Sequence, residues 1–152
     1  MIRFAHLDDI PFLKDLMIQL LTHHQEFNAL YEIDFEHQHD IEVFFQEIIS
    51  QENIHVFVAE VDDQIAGYLL CSKHIRPNFF TIKSKGRIDS LFVNPLFRKQ
   101  NLAAQLLDKA LDFLNDVNYI ELEFTAENDL AKNFWLKKGF KILNNQCVLY
   151  LK

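Results

Sequence analysis

Residues 86–111 read GRIDSLFVNPLFRKQNLAAQLLDKAL, and this stretch decides the fold. Its first half, Arg87–Val93, is a strand-like run closed by Asn94-Pro95, a pair that ends a strand because proline brings no N–H to the ladder. Its second half sets Leu102, Leu106, Leu107, Ala110 and Leu111 at helical spacing, which predicts an amphipathic helix beginning near Asn101. Between them lies a basic turn containing Arg98 and Lys99. A helix N-terminus carries unpaired N–H groups and the positive end of the helix dipole. Two full positive charges beside it make an anion site, and the small side chains of Ala103 and Ala104 let a ligand approach the backbone.

The same reading extends in both directions. Upstream, Ile2–Ala5 is a short strand, and Asp8-Asp9 with Pro11 opens a helix carrying Ile10, Leu13, Met17, Leu20 and Leu21. Residues 22–39 lose the period and read mostly as a loop, and Asp40 caps a second helix with Phe44, Phe45, Ile48 and Ile49 on one stripe. The period then changes to two, and His55–Glu60 and Ile65–Ser72 form a hairpin across Asp62-Asp63. Downstream, Tyr119–Thr125 alternates as a half-exposed strand, Asn128 caps a helix stopped at Gly139, and Phe140–Leu143 with Cys147–Leu151 reads as a closing hairpin. The order is β-α-α-β-β-β-α-β-α-β-β: one α/β domain over 1–152, with a mixed, mostly antiparallel sheet of six to seven strands and about four helices.

Composition agrees with one folded domain. The chain is 152 residues and 49% hydrophobic, with fifteen Phe but only three Gly and three Pro, which excludes disordered and low-complexity classes. The net charge of −7 argues against nonspecific nucleic-acid or membrane-surface binding, which lean on basic patches. It is unevenly spread: residues 15–72 hold 12 acids and no Lys or Arg, whereas 73–152 hold 13 bases and 8 acids. No apolar run approaches the roughly 18 residues of a membrane span, and no signal-like start is present, which points to the cytoplasm. Cys71 and Cys147, without CxxC spacing, read as reduced core residues. His23-His24 and His37-x-His39 lie in a polar loop without the convergence a metal needs, so no metal is expected.

Phe92-Val93-Asn94-Pro95 followed by Arg98-Lys99-Gln100-Asn101-Leu102-Ala103 resembles motif A of the GNAT superfamily of acyl-CoA N-acyltransferases, a strand ending in Val and then (Gln/Arg)-x-x-Gly-x-(Gly/Ala) at a helix start. Asn128-Asp129-Leu130-Ala131, Phe134-Trp135 and Gly139-Phe140 resemble its motif B, and Val58-Ala59-Glu60 with Ile65-Ala66-Gly67-Tyr68 resembles its first hairpin. The resemblance covers essentially the whole chain and implies a GNAT-like fold with acetyl-CoA as co-substrate. It implies that the backbone of Arg98, Lys99, Gln100, Asn101, Leu102, Ala103 and Ala104 cradles the CoA pyrophosphate. Leu91, Phe92 and Val93 would hold the pantetheine arm and polarise the thioester carbonyl, and Asn128 and Phe134 would contact the sulfur end. Asn101 stands in the place of a motif Gly, and Asn is among the few residues that accept left-handed geometry. Trp135, also in the expected CoA site, stands where many members have a Tyr that protonates the leaving thiolate, which an indole cannot do.

An amine acceptor must lose a proton before it attacks. Asp89, where many members place a Glu, is the first candidate base and would act through a water, with Glu121 and Glu123 on the neighbouring strand as backups. The acidic loop lies where the family builds its acceptor pocket, and Phe27, Tyr31, Glu32, Asp34 and Glu36 would suit a cationic, partly apolar amine. The expected activity is direct transfer of an acetyl group to a primary amine, on a small molecule or on a protein or peptide, without a covalent intermediate. Two other readings stand beside it. One is a catalytically degenerate acyl-CoA-binding module marked by Asn101 and Trp135. The other is an interaction protein using exposed aromatics such as Phe79-Phe80. A homodimer is compatible with the resemblance.

Overall fold

A computed structural model describes residues 1–152. Nine main elements follow one another: β1 (Ile2–Phe4), α1 (Ile10–Gln25), α2 (His39–Ile49), β2 (Ile54–Val61), β3 (Gln64–Ile75), β4 (Ser84–Val93), α3 (Leu102–Phe113), β5 (Ile120–Glu121) and α4 (Asp129–Lys137). Short 3₁₀ turns occupy Leu7–Asp9, Ala29–Tyr31, Phe35–His37 and Pro95–Phe97. The five strands lie in sequence order in one sheet, antiparallel except for the parallel β4–β5 pair. The β2–β3 turn is the two-residue hairpin expected at Asp62-Asp63: both residues take left-handed φ, 50° and 59°, the geometry that matches strand twist.

Strand alternation divides the core into two layers. Val56, Val58, Tyr68, Leu70 and Phe92 meet Leu13, Leu16 and Phe45 of α1 and α2 on one face. Phe57, Leu69, Cys71 and Ile88 meet Leu106, Leu107 and Ala110 of α3, with Trp135 of α4, on the other. Gly67 on β3 lies so near β4 that a Cβ there would stand 2.7 Å from the Phe92 carbonyl oxygen.

The structure corrects four expectations. The sheet has five strands rather than six or seven, because residues 140–152 form no strand, and β5 keeps only two residues of the expected Tyr119–Thr125. A strand needs a partner edge as well as strand-forming residues, and 141–152 makes no hydrogen bond within the chain. α1 runs four residues into the stretch read as loop, its last turn carrying His23 and His24. Cys147 is exposed, whereas Cys71 is buried as expected.

Arg3 ties three elements together. Its guanidinium donates to both oxygens of Asp9 at 2.8 and 2.9 Å, and to Glu60 of β2 at 2.7 Å, while the His6 N–H donates to Asp9 at 2.7 Å. Burial works to raise the Asp9 carboxyl, but the hydrogen bonds from Arg3 and His6 prevail and hold it below the usual carboxylate range. A carboxyl held down in the fold adds stability above its unfolded value and loses it as pH falls through the folded one. Asp9→Asn should cost about 2 kcal/mol at neutral pH. In denaturant melts the gap to wild type should narrow below about pH 4, and a gap of constant size from pH 7 to pH 3 would refute the assignment.

Candidate active site

The site begins where β4 loses a neighbour. β3 pairs with β4 from Ser84 to Val93, but β5 pairs only at Gly86↔Ile120 and Arg87↔Glu121. Beyond those two residues the β5 side of β4 is open. Asn94 N–H donates to Ala66 of β3 at 2.8 Å. By strand alternation Leu91 and Val93 therefore turn their N–H groups into the opening, while Phe92 faces β3. The ladder also shifts at the neck of the opening: Leu70 faces Ser90 and Cys71 faces Ile88, which leaves Asp89 as the extra residue of a β-bulge.

At the far end of β4 the chain turns into α3. Asn94 caps the 3₁₀ turn by accepting from Leu96 N–H at 2.9 Å. Lys99 and Asn101 then take left-handed backbone, φ 71° and 59°. Alternating left-handed residues point successive N–H groups to one side. None of the six backbone N–H groups from Lys99 to Ala104 donates to a protein acceptor, and neither Arg98 nor Lys99 is in an ion pair. Six free donors, a helix N-terminus and two uncommitted cations make a site for a polyanion such as a pyrophosphate.

The three carboxylates picked from sequence come together on one arginine. Arg87 reaches Asp89 at 3.1 Å, Glu123 at 3.4 Å and Glu121 at 3.7 Å, and Lys85 also holds Glu121 at 2.7 Å. The second oxygen of Asp89 accepts from the buried hydroxyl of Ser72 at 2.8 Å. Ser72 has one proton to give, so the 2.8 Å contact with His74 must be His74 Nε2–H donating to Ser72 Oγ. Arg87, Ser72 and His74 were not singled out from sequence. Arg87 lies two residues from Asp89 on the same strand face, which is the signal that was available.

The remaining expected residues fall out as follows. Asn128 is buried and uses its side-chain oxygen to cap α4, accepting from Ala131 N–H at 3.2 Å. Phe134 is half-buried beside Trp135, their rings 4.9 Å apart. Trp135 is only 7% exposed and packs against Phe140 within the α3-side core. The Cys71 thiol is pushed up to about 12 by burial and, after it, by Asp89, which makes it a poor nucleophile. Phe27, Tyr31, Glu32, Asp34 and Glu36 lie on the segment after α1. There Asp34 caps a 3₁₀ turn and pairs with His37 at 2.9 Å, and no hydrogen bond or ion pair joins this loop to the Arg87 cluster. No three His, Cys, Asp or Glu side chains converge as a metal-ligand set, and no helix is long and apolar enough to cross a membrane.

Residues 20–140 match the model of the Acetyltransferase (GNAT) family. An uncharacterized N-acetyltransferase of Archaeoglobus fulgidus is 28% identical over 122 residues, 77% of this chain and 80% of that one. Among solved structures, a mutant of the BH1408 protein from Bacillus halodurans superposes with a TM-score of 0.88 at 21% identity, covering 100% of this chain and 99% of that one. A predicted acetyltransferase from Clostridium acetobutylicum, solved with acetyl-CoA, gives 0.80 at 20% identity over 99% and 96%. The divided β4, the donor-lined turn and the matched family model together place this chain in the GNAT family of acetyltransferases, enzymes that depend on an acyl-CoA.

The turn makes a direct prediction. Asn101→Gly should keep CoA binding within about twofold, whereas Asn101→Ile, forced into left-handed backbone, should cost about 1–2 kcal/mol of stability and weaken binding. Arg98→Ala combined with Lys99→Ala should weaken CoA about tenfold, near 1.4 kcal/mol, and flatten the salt dependence of binding. Titration calorimetry at two ionic strengths reads both effects.

Proposed function

We propose that this protein transfers the acetyl group of acetyl-CoA to the primary amine of a small cationic acceptor, and that it acts as a homodimer. One observation carries the reading: the six free N–H groups at the start of α3 adjoin an open β4 edge whose neck holds a carboxylate. The pyrophosphate takes the Lys99–Ala104 donors with Arg98 and Lys99. The pantetheine arm lies along Leu91–Val93, and the thioester oxygen meets an N–H of Leu91 or Val93, which stabilises charge growing on it during attack. Asn128 and Phe134 border the sulfur end.

Asp89 then receives the proton that the acceptor ammonium must lose, through one water. The amine nitrogen attacks the carbonyl carbon, the nitrogen gives up its second proton to water, the C–S bond breaks, and the CoA thiolate takes up that proton from the same solvent, leaving one proton on Asp89 to be released. No side chain here does the work of a general acid, since Trp135 is buried in the core and cannot donate to sulfur. A thiolate is a good enough leaving group for the step to proceed without one. Arg87 and Ser72 hold the two oxygens of Asp89 and fix its direction. The acceptor's positive charge is drawn to the acidic half of the chain, with Glu32, Asp34 and Glu36 forming part of its pocket.

The test is release of free CoA thiol from acetyl-CoA against polyamines, aminoglycosides, amino acids and peptides. Amine-dependent release should appear, and Asp89→Ala should lower kcat about 10²–10⁴-fold. Neutralising Glu32, Asp34 and Glu36 to their amides should raise KM for a polyamine and leave KM for acetyl-CoA unchanged. Tight CoA binding with no turnover on any amine would instead make this chain a CoA-binding module.

A further inference from the structure

Three buried side-chain polar atoms find no hydrogen-bond partner within the chain: His55 Nδ1, Tyr68 Oη and Ser90 Oγ. His55 stands apart, its ring stacked on Phe113 of α3. The other two share the opposite face of the sheet. Tyr68 and Phe92 lie in the core layer beneath α1 and α2, while Leu91 packs on the α3 side, so alternation turns Ser90 back toward Tyr68. Register makes the two diagonal neighbours, since Tyr68 is opposite Phe92 and Leu70 is opposite Ser90. Phe45 of α2 meets the Tyr68 ring edge to face at 5.9 Å, and Tyr68 is wholly buried. Burial pushes its hydroxyl up to about 12, and Ser90 is the one group near enough to draw it back, so the phenol keeps its proton and can donate it in a hydrogen bond.

A buried hydroxyl without a partner forfeits the hydration it had in the unfolded chain. Two on adjoining strands are met by an ordered water, which needs two to four polar partners. The place matters as much as the pair. Ser90 is the residue after the Asp89 bulge, at the neck of the β4 opening. Asp89 accepts from Arg87 on one oxygen and from Ser72 on the other, and each oxygen keeps a lone pair. We infer that Tyr68 and Ser90 hold the water through which Asp89 takes the acceptor's proton, an inference that rests on Asp89 being the base. Tyr68 O–H donates to this water, which donates one hydrogen to Ser90 Oγ and the other to Asp89. Its remaining lone pair is left for the acceptor ammonium. In the transfer the N–H bond breaks as its proton joins the water oxygen, and the water's own O–H bond toward Asp89 breaks as that proton joins the carboxylate. The water is regenerated and Asp89 becomes neutral. Both hydroxyls are sealed from the surface, so neither meets the acceptor; they are positioning residues that fix which lone pair the water offers.

The experiment measures turnover, with the fastest amine of the panel above, for Tyr68→Phe, Ser90→Ala, Asp89→Ala and the Tyr68→Phe, Asp89→Ala pair. Tyr68→Phe removes one oxygen and no ring, so it should keep native circular dichroism and an unchanged KM for acetyl-CoA while kcat falls about tenfold, less than for Asp89→Ala. Ser90→Ala should act alike. In the Asp89→Ala background Tyr68→Phe should change kcat by no more than about twofold, because the water then has no carboxylate to serve; a purely structural role would cost the same factor in both backgrounds. A crystal structure of the free protein should show one water within about 3.2 Å of both hydroxyls. Full kcat in Tyr68→Phe beside a crippled Asp89→Ala, equal losses in the two backgrounds, or a crystal in which the two hydroxyls bond each other overturns the inference and leaves Asp89 as the base. Undiminished kcat in Asp89→Ala overturns the base, and the inference with it.

Discussion

β4 has one neighbour along its whole length and another for only two residues, and the site depends on that inequality. Continuous pairing with β3 keeps the strand rigid. Loss of β5 after Arg87 leaves backbone donors facing an opening instead of a ladder. The bulge at Asp89 sits at the neck, where the strand changes from two-sided to one-sided pairing. A fully paired β4 would have the same core and no opening along its edge. An unpaired β4 would have no Arg87–Glu121 register, and the three carboxylates would not meet on one cation. Structure and chemistry therefore rest on the same partial ladder.

Part of this was legible in the sequence for identifiable reasons. The turn before α3 announced itself through proline, two cations and small residues, and Asn101 takes the left-handed backbone expected of it. The hairpin at Asp62-Asp63 was legible for the same reason, since few residues accept that geometry. Asp89, Glu121 and Glu123 could each be placed on a face by alternation. The meeting of Arg87 with Glu121 and Glu123 could not, because it comes from the parallel register of β4 and β5, which no local pattern encodes. Ser72 and His74 join through the antiparallel register of β3. The C-terminal hairpin was misread because residues 140–151 have the composition of strands, and composition does not say which edge a strand will find.

The charge division of the chain takes on a spatial meaning in the fold. Most of the acids between residues 15 and 72 lie on α1, α2 and the segment joining them, on one face of the sheet. Arg98 and Lys99 stand at the end of β4 with no partner of their own. Lys85 and Arg87 lie between and are already spent on carboxylates. A polyanion and a polycation approaching this protein therefore meet different surfaces, and the strand between them is close to neutral.

Gly67 shows what such an arrangement means for substitution. It offers no functional group and touches no proposed substrate, yet its bare Cα lets β3 lie against the Phe92 carbonyl, one residue from the end of β4. The smallest possible addition, one methyl group, would push on the backbone that presents Leu91 and Val93. A residue with no side chain thus bears on the opening through the backbone alone.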